Sequence, residues 1–256
     1  MPPAYTMSPQ ALLFDVDGTL ADTERDGHRV AFNAAFREYG LDWDWTPQLY
    51  GELLAVTGGK ERIRHYVDRY LPGFEKPVHF DALVAELHPA KTRHYTALLA
   101  NGGIPLRPGV ARLLEEARDA GLRLAIATTT TPDNVTALLR HSLAEDAVSW
   151  FEVIAAGDIV PAKKPAPDIY RYTLQEMGLA AQDCIAFEDS ENGLRSSLGA
   201  GLKTIITVNG YTREHNFSGA AVVLSDLGEP DTAAECLAGS WHGQRGYVSI
   251  ESLLAL

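Results

Sequence analysis

The sequence ALLFDVDGTL at residues 11–20 joins a short apolar run to two aspartates and a glycine. An apolar run of this length that ends at a charged residue is typical of a buried strand. Asp15 and Asp17 would then lie at the carboxyl end of that strand, and Gly18 would let the chain turn sharply just beyond them. We therefore expect residues 11–14 to form the first strand of the fold, with polar chemistry at its end.

Strands and helices are predicted to alternate after Pro108 and Gly109. Short apolar runs predict further strands at residues 122–127, 153–156, 184–187, 203–208 and 220–224. Helical patterns lie between them, with Thr131 as the expected N-cap of one helix and Ser190 as that of another. This alternation predicts right-handed crossovers and a parallel sheet. The predicted fold class is therefore α/β, with a Rossmann-like parallel sheet as the core.

Residues 22–94, which follow the first strand, have a different character. They hold helix-compatible segments, including one at residues 24–39, and no convincing strand. We predict a helical cap domain at 22–94 inserted after the first strand, packed by Trp43 and Trp45. The α/β core domain would comprise residues 1–21 and 95–256. Its tail, from about residue 229 to 256, is interpreted as a helix followed by a short strand.

The chain of 256 residues is acidic, with a formal net charge of -12 and a pI of about 5.1. Nucleic acids and anionic membranes need a basic face, so we expect neither as a partner. Cys184 and Cys236 match neither a disulfide framework nor a zinc-ligand spacing. The N-terminal residues lack the features of a signal peptide, and no apolar run reaches the roughly 18 residues that span a bilayer. These features predict a cytoplasmic protein, with a monomer as the default.

Polar residues follow four of the predicted strands, and they are, in chain order, Asp15 and Asp17, Thr128, Lys163 and Lys164, and Glu188 and Asp189. In open parallel sheets, ligands bind outside the carboxyl ends of the strands. Parallel topology places all four strand ends on one edge of the sheet. The sequence therefore predicts a single site built from these side chains.

Such a set of side chains suits phosphoryl transfer. Of Asp15 and Asp17, one carboxylate can attack while the other handles a proton. Clustered carboxylates repel one another unless a cation lies among them, and an all-oxygen set beside a phosphate suits Mg²⁺. Thr128 can donate a hydrogen bond to a phosphoryl oxygen, and Lys164 can neutralise charge on the transferring group. We expect Mg²⁺ as the cofactor.

Several of these assignments have open alternatives. Thr129 and Thr130 compete with Thr128, and Lys163 competes with Lys164. Glu188 could instead accept hydrogen bonds from backbone N–H groups, which would leave the metal to Asp189. His28 is either a hinge or substrate contact or an ordinary helix histidine.

The four motifs together resemble those of the haloacid dehalogenase-like (HAD) superfamily. Residues 15–19 (DVDGT) are similar to its first motif, Thr128 to the second, Lys164-Pro165 to the third and Glu188-Asp189 to the fourth, over about residues 11–224. The resemblance implies that Asp15 forms an aspartyl-phosphate and that Asp17 first protonates the leaving oxygen and then activates water. It also implies that Mg²⁺ is held by the Asp15 side chain, the Asp17 backbone carbonyl, Asp189 and Glu188. The namesake dehalogenases lack the second aspartate, so its presence favours phosphoryl chemistry.

The insertion after the first motif resembles the cap placement of the beta-phosphoglucomutase-like subgroup. Residues 22–28 (DTERDGH) and 57–62 (TGGKER) look like the CbbY branch of that subgroup. That branch is associated with carbon-fixing bacteria, the Calvin cycle and sugar bisphosphates made by Rubisco side reactions. The resemblance therefore implies a phosphoric monoester hydrolase, a sugar bisphosphate phosphatase, with xylulose-1,5-bisphosphate as the preferred substrate.

A bisphosphate has a second phosphate that the four motifs leave unbound. Gly58-Gly59 could bring backbone N–H groups close to an anion, with Lys60 and Arg62 adding charge. The full set of predicted substrate-binding residues is Glu24, Gly58, Gly59, Lys60, Arg62, Lys91, Arg107, Thr129, Thr130 and Asn192.

Two other functions compete with the phosphatase. A sugar phosphate mutase would use the same residues but would exclude water from the aspartyl-phosphate. A catalytically inactive sugar-phosphate-binding protein could keep the same fold. The intact set of Asp15, Asp17, Lys164 and Asp189 argues against the inactive protein, because a binding site has no need of an acid/base aspartate.

Overall fold

The computed structural model describes residues 9–56, 58–239, 241, 246–254 and 256. Within these residues the chain forms one seven-stranded sheet with the order β3-β2-β1-β4-β5-β6-β7. The strands are β1 (Ala11–Phe14), β2 (Arg123–Ala127), β3 (Val153–Ala155), β4 (Cys184–Glu188), β5 (Lys203–Thr207), β6 (Val222–Leu224) and β7 (Cys236–Gly239). All neighbouring pairs are parallel except β6 and β7. The predicted α/β class is confirmed, and the six predicted strands are present with ends shifted by two residues at most.

The first strand, β1, lies at the centre of the sheet. Its residues pair with β2 on one side, Ala11 opposite Arg123, and with β4 on the other, Ala11 opposite Cys184. From β1 the chain builds the sheet towards β3 and then returns to build the opposite half from β4. The direction of winding therefore reverses between β1 and β4, which is where open α/β sheets form their ligand crevice.

The side chains of β1 are buried on both faces of the sheet. Leu12 and Phe14 belong to one apolar cluster, whereas Ala11 and Leu13 belong to another on the opposite face. The Phe14 ring stacks on that of Phe187, with 4.5 Å between their centres. A strand buried on both faces has a continuous apolar sequence, which is why ALLF shows no alternation.

Helices cover both faces of the sheet and form the segment after β1. They are α1 (Arg29–Glu38), α2 (Pro47–Leu53), α3 (Gly59–Tyr70), α4 (Phe80–Ala100), α5 (Val110–Asp119), α6 (Pro132–Ser142), α7 (Asp168–Met177), α8 (Glu191–Gly199) and α9 (Ile250–Leu253), with a π-helical turn at Glu24–His28 before α1. Ser190 caps α8 as predicted, because its hydroxyl accepts a hydrogen bond from the Gly193 N–H. Thr131 precedes α6 as predicted, but its hydroxyl makes no capping hydrogen bond.

The segment after β1 has an apolar cluster of its own. Trp43 and Trp45 pack there against Phe36 and Tyr66, as expected, and no strand lies within the described part of residues 22–94. Helix α4 runs across the predicted boundary at residue 94. Its first turns contribute to this cluster, and its last turns contribute to the cluster on the sheet. The division into cap and core at this residue stays a prediction, and we keep the word cap for residues 22–94.

The tail differs from its prediction, which had a helix before a strand. The strand β7 comes first and extends the sheet antiparallel to β6, and the helix α9 follows it. The Ser249 side chain caps α9, and Leu253 is buried against the sheet's cluster. All four residues of β7 are exposed at the edge of the sheet. Their sequence has no alternation of apolar and polar residues, and so it did not predict a strand. No described helix combines the length and the apolar character that crossing a membrane requires.

Candidate active site

The carboxyl ends of β1, β2 and β4 bring the predicted catalytic residues together. Asp15 directly follows β1 and is buried, and its N–H donates to the carbonyl of Phe187 on β4 over 3.0 Å. Thr128 directly follows β2, and Glu188 is the last residue of β4. These three strands are hydrogen-bonded neighbours, so their register fixes the distances among the side chains at their ends.

The Lys164 ammonium lies at the centre of this group. It donates hydrogen bonds to Asp15 Oδ1 over 2.7 Å, to Glu188 Oε1 over 2.6 Å and to the Ala127 carbonyl over 2.8 Å. An ammonium has three donors, and all three are used here. Burial lowers the pKa of Lys164, but the two carboxylates outweigh burial and raise it above its usual value. Lys163 instead pairs with Asp158 over 3.0 Å, so of the two lysines Lys164 is the one that reaches Asp15.

Asp15, Glu188 and Asp189 form a buried acidic cluster, with one oxygen of each within 4.8 Å of the others. Glu188 Oε2 is buried and has no hydrogen-bond partner among the described residues. A Cβ at Gly193 would lie 1.8 Å from this oxygen, so only glycine leaves it room. An all-oxygen set with an unpartnered buried carboxylate oxygen fits Mg²⁺. Glu188 accepts from Lys164 and Tyr170 side chains, not from the backbone N–H groups of the alternative interpretation.

The pKa shifts of the cluster also favour a bound cation. Burial raises the pKa of Asp15 to about 7, even though Lys164 opposes the shift. Burial also raises the pKa of Asp189 well above its usual value, and the charges of Asp15 and Glu188 add to the effect. Three buried carboxylates so close together repel one another. A divalent cation among them would relieve that repulsion, so metal binding and proton release are coupled here.

The Asp17 carboxylate faces away from this cluster, towards the cap. Its Oδ1 accepts hydrogen bonds from the Thr23 hydroxyl over 2.6 Å and from His28 Nε2 over 2.9 Å. His28 Nδ1 lies 2.9 Å from the Lys91 ammonium on α4. An ammonium can only donate, so Nδ1 accepts and Nε2 carries the proton that Asp17 receives as a hydrogen bond. Burial raises the pKa of Asp17, but His28 and Thr23 outweigh burial and hold it below its usual value.

Two adjoining cavities open onto these groups. The larger, of about 500 Å³, is lined by Asp15, Asp17, Thr128, Thr129, Lys164, Glu188 and Asp189 together with Glu24, Gly58, Arg62 and Asn192. The smaller, of about 140 Å³, shares Asp17, Glu24, Gly58, Arg62 and Thr129 with it, and its other lining residues include Gly59, Lys60, Lys91, Thr130 and Lys163. All but one of the predicted substrate-binding residues therefore line a cavity beside Asp17.

Arg107 is the exception, and the structure contradicts its predicted place beside a substrate. Its buried guanidinium donates to the backbone carbonyls of Gly18, Thr207, Val208 and Ser225, and it lines neither cavity. These carbonyls belong to loops at the strand ends, and Arg107 ties the loops together. The position of Arg107 in the sequence could not show whether its side chain would bind backbone carbonyls or a phosphate.

Arg62 is fixed at the wall shared by the two cavities. Its Nη1 donates to the Tyr50 hydroxyl over 2.7 Å, and that hydroxyl donates to Glu24 Oε2 over 2.5 Å. Arg62 Nε is buried with no partner among the described residues. The guanidinium is therefore held in place with a donor to spare.

Among the three threonines after β2, Thr128 and Thr129 line the larger cavity, and Thr130 lines the smaller. Thr128 Oγ1 accepts a hydrogen bond from the Thr130 N–H over 3.3 Å. The Thr128 hydroxyl hydrogen is thus available to donate towards Asp15. Thr130 instead accepts from the Asn134 side chain over 3.0 Å.

Four residues at this site had no sequence signal as site residues, namely Thr23, Tyr50, Tyr170 and Asn209. Tyr170 donates to Glu188 Oε1 over 2.6 Å, and Asn209 donates to Asp189 Oδ2 over 2.7 Å. Each supports a charged group from an element distant in sequence. A partner 18 or 20 residues away, as here, leaves no periodic pattern.

The sequence pattern of the haloacid dehalogenase-like hydrolases matches residues 9–201 of this chain. The chain belongs to that family of hydrolases, and it is a phosphatase. It is 50% identical over 221 residues to protein CbbY (plasmid) of Cupriavidus necator, across 86% of this chain and 87% of that protein.

Two crystal structures of CbbY from Rhodobacter sphaeroides superpose on the fold with a TM-score of 0.80 each, over 87% of this chain and 96% of theirs. One is a complex with phosphate and is 48% identical in sequence. The other is a mutant in complex with xylulose-(1,5)bisphosphate and is 47% identical.

The raised pKa of Asp15 predicts proton-linked metal binding. Mg²⁺ would bind the carboxylate form of Asp15, so a protonated Asp15 would first have to lose its proton, and affinity should rise with pH up to about 7. We expect an increase of up to about tenfold per pH unit for each proton displaced, levelling off above that pH. Calorimetric Mg²⁺ titrations at pH 6, 7 and 8 in two buffers of different ionisation enthalpy measure both affinity and proton release. Asp15→Asn serves as the control that cannot release this proton, and equal wild-type affinity at all three pH values would contradict the prediction.

The contact between Lys91 and His28 predicts a loss of rate when the ammonium is removed. Lys91→Met keeps an unbranched side chain that ends where the ammonium begins, and it leaves Nδ1 of His28 without its donor, so the proton of the neutral imidazole can lie on either ring nitrogen. We expect kcat to fall by about 10- to 100-fold, which is part of the roughly 100- to 10,000-fold that a positioned acid/base contributes. The pH profile of kcat should also change shape. Lys76→Met, at an exposed cap lysine paired with Asp68, is the control; an unchanged kcat in Lys91→Met refutes the prediction.

Proposed function

We propose that this chain is a Mg²⁺-dependent phosphatase that hydrolyses a sugar bisphosphate through an aspartyl-phosphate on Asp15, with xylulose-1,5-bisphosphate as its preferred substrate. The observation that carries the proposal is the Asp15 carboxylate held by Lys164 at the floor of a cavity roofed by cap residues. The likeness to a CbbY structure in complex with xylulose-(1,5)bisphosphate supports the choice of substrate.

In the first step, an Asp15 carboxylate oxygen attacks phosphorus, and the bond from phosphorus to the sugar oxygen breaks. The Thr128 hydroxyl is placed to donate to a phosphoryl oxygen, and the positive charge of Lys164, 2.7 Å from Asp15 Oδ1, stabilises the charge that shifts onto the phosphoryl group. The departing sugar oxygen takes its proton from Asp17. A phosphate dianion beside Asp17 opposes the charge on its carboxylate, and so raises its pKa towards the protonated form that this step needs.

In the second step, water attacks the phosphorus of the aspartyl-phosphate and loses a proton to Asp17. The bond from phosphorus to the Asp15 oxygen breaks, which restores the Asp15 carboxylate and releases inorganic phosphate. The hydrogen bonds from Thr23 and His28 stabilise the Asp17 anion that this step requires. Asp17 is thus an acid in the first step and a base in the second.

The residues that would hold Mg²⁺ are Asp15, Asp189 and Glu188 through their side chains and Asp17 through its backbone carbonyl. The ion would neutralise the charge of the phosphoryl group and of the acidic cluster together. Asn209 and Tyr170 keep Asp189 and Glu188 oriented for this purpose, as groups around metal ligands commonly do.

The second phosphate of the substrate is assigned to the smaller cavity, whose lining combines four cations with the carboxylates of Asp17, Glu24, Glu61 and Asp158. Lys60, Arg62, Lys91 and Lys163 line the smaller cavity, beside the first turn of α3. The backbone of Gly58, with a positive φ of 99°, turns the chain into that helix, whose first N–H groups would face an anion bound at its N-terminus. Arg62, buried and with Nε unpartnered among the described residues, is the strongest candidate among the four cations.

Phosphate release from a panel of substrates tests the reaction. The panel holds xylulose-1,5-bisphosphate, ribulose-1,5-bisphosphate, fructose-1,6-bisphosphate, glucose 1-phosphate, glucose 6-phosphate and phosphoglycolate, each with Mg²⁺ and with EDTA. We expect Mg²⁺-dependent release that is fastest from xylulose-1,5-bisphosphate and absent in Asp15→Asn, because that variant lacks the nucleophile. Conversion of glucose 1-phosphate to the 6-phosphate without phosphate release would replace the phosphatase with a mutase, and tight binding without turnover would indicate the inactive protein.

Removal of single cap cations tests the assignment of the second phosphate. Lys60→Ala and Arg62→Ala should raise KM for the bisphosphate by about tenfold or more, as loss of a charge-assisted hydrogen bond does. They should affect a monophosphate of the same sugar far less. Lys76→Ala, which removes a cap lysine outside both cavities, is the matched control. An equal loss on both substrates would remove the assignment.

A further inference from the structure

We propose that Tyr211 is a positioning residue, and that contact of its ring with Gly51 of α2 holds the cap in place against the core. This inference rests on the proposed function, because it concerns how the substrate cavity is held closed. It starts from the turn at residues 209–212, which follows β5 and Val208.

The turn at residues 209–212 is built as a rigid support. The Asn209 N–H donates to the Thr212 hydroxyl over 3.0 Å, and the Tyr211 N–H donates to Asn209 Oδ1 over 2.9 Å. Arg107 donates to the carbonyl of Val208 at its base over 2.5 Å. The same Asn209 side chain donates to Asp189 over 2.7 Å. The position of Tyr211 is therefore fixed relative to the acidic cluster.

The Tyr211 side chain leaves the core and packs on the cap. It lies against the apolar cluster of the cap, with its ring centre 6.2 Å from that of Tyr50. It also lines the larger cavity. Its hydroxyl oxygen is buried without a hydrogen-bond partner in the described part of the chain. The contact therefore depends on the ring and not on the hydroxyl group.

Gly51 has no local reason to be a glycine. It lies inside α2, where glycine is less favourable than alanine, and it is not among the glycines with a positive φ. A Cβ at this position would lie 2.9 Å from Cδ1 and 3.2 Å from Cε1 of Tyr211. The missing side chain is thus explained by the close approach of the Tyr211 ring.

The contact sets the position of substrate-facing groups. Tyr50, the neighbour of Gly51 on α2, carries the hydroxyl that joins Arg62 to Glu24. Displacement of α2 would move this network and widen the cavity, while Asp15 and Lys164 would stay where the core places them. Loss of the contact should therefore act mainly on KM for the bisphosphate.

Four single variants and a double variant test the contact between Tyr211 and Gly51. Gly51→Ala and Tyr211→Ala should each lower kcat/KM by about tenfold, mostly through KM, since misplacement by about an ångström costs this much or more. Tyr211→Phe should retain wild-type values. Gly51→Ala should have no further effect in the Tyr211→Ala background, because the ring that its Cβ meets is gone. Gly210→Ala is the matched control, since its Cβ would meet nothing within 4 Å and its φ is not positive.

Hydrogen exchange of the α2 amides in the free protein gives a second readout that needs no turnover. Exchange should be faster in Tyr211→Ala and unchanged in Tyr211→Phe. The proposal is overturned if Gly51→Ala costs as much in the Tyr211→Ala background as in the wild type, if Gly210→Ala matches Gly51→Ala, or if α2 exchange ignores Tyr211→Ala. A wild-type protein that is inactive on every substrate would instead overturn the proposed function. The hydrogen-exchange measurement would still test the contact between Tyr211 and α2.

Discussion

The Lys164 ammonium makes the rest of the site possible. Asp15, Glu188 and Asp189 are buried within a few ångströms of one another, and such a cluster repels itself in the absence of cations. Lys164 bonds to two of these carboxylates and to the carbonyl of Ala127, and so joins the ends of β1, β2 and β4. Buried charges are stable only where they are paired and hydrogen-bonded. All three N–H donors of Lys164 have an acceptor. One positive charge among three carboxylates still leaves a net negative charge, which a divalent cation can neutralise.

The two aspartates of the first motif divide the work because they face different environments. Asp15 lies among the strand ends, where burial raises its pKa, whereas Asp17 faces cap residues that lower its pKa. Gly18, with φ of 89°, makes the turn just beyond them, and a Cβ there would lie 2.4 Å from Asp189. Two carboxylates whose surroundings shift their pKa values in opposite directions are suited to separate roles. The proposed mechanism places both roles within three residues of the chain.

Contacts that the core makes with the cap connect the chemistry to the choice of substrate. Lys91 and His28 reach the acid/base carboxylate from the cap, and Arg62 lies at the wall between the two cavities. Tyr211 makes the opposite connection, since it stands on the core and packs on α2. In the proposed mechanism the reacting groups lie at strand ends, and the groups that would select a substrate lie on the helices of the cap.

The sequence alone determined the positions of the six parallel strands, the α/β class and the residues of the four motifs. Each depends on a local signal, an apolar run that ends at a polar residue, and parallel topology then forces the strand ends to one edge. Tertiary structure alone decided the use of Arg107 on carbonyls, the order of β7 and α9, the absence of a capping bond from Thr131 and the partners of Asp17. The sequence separations explain this difference, because His28 and Lys91 are 63 residues apart and Arg107 and Val208 are 101. A hydrogen bond between residues so distant depends on how helices and loops pack, and packing leaves no period or spacing in the chain.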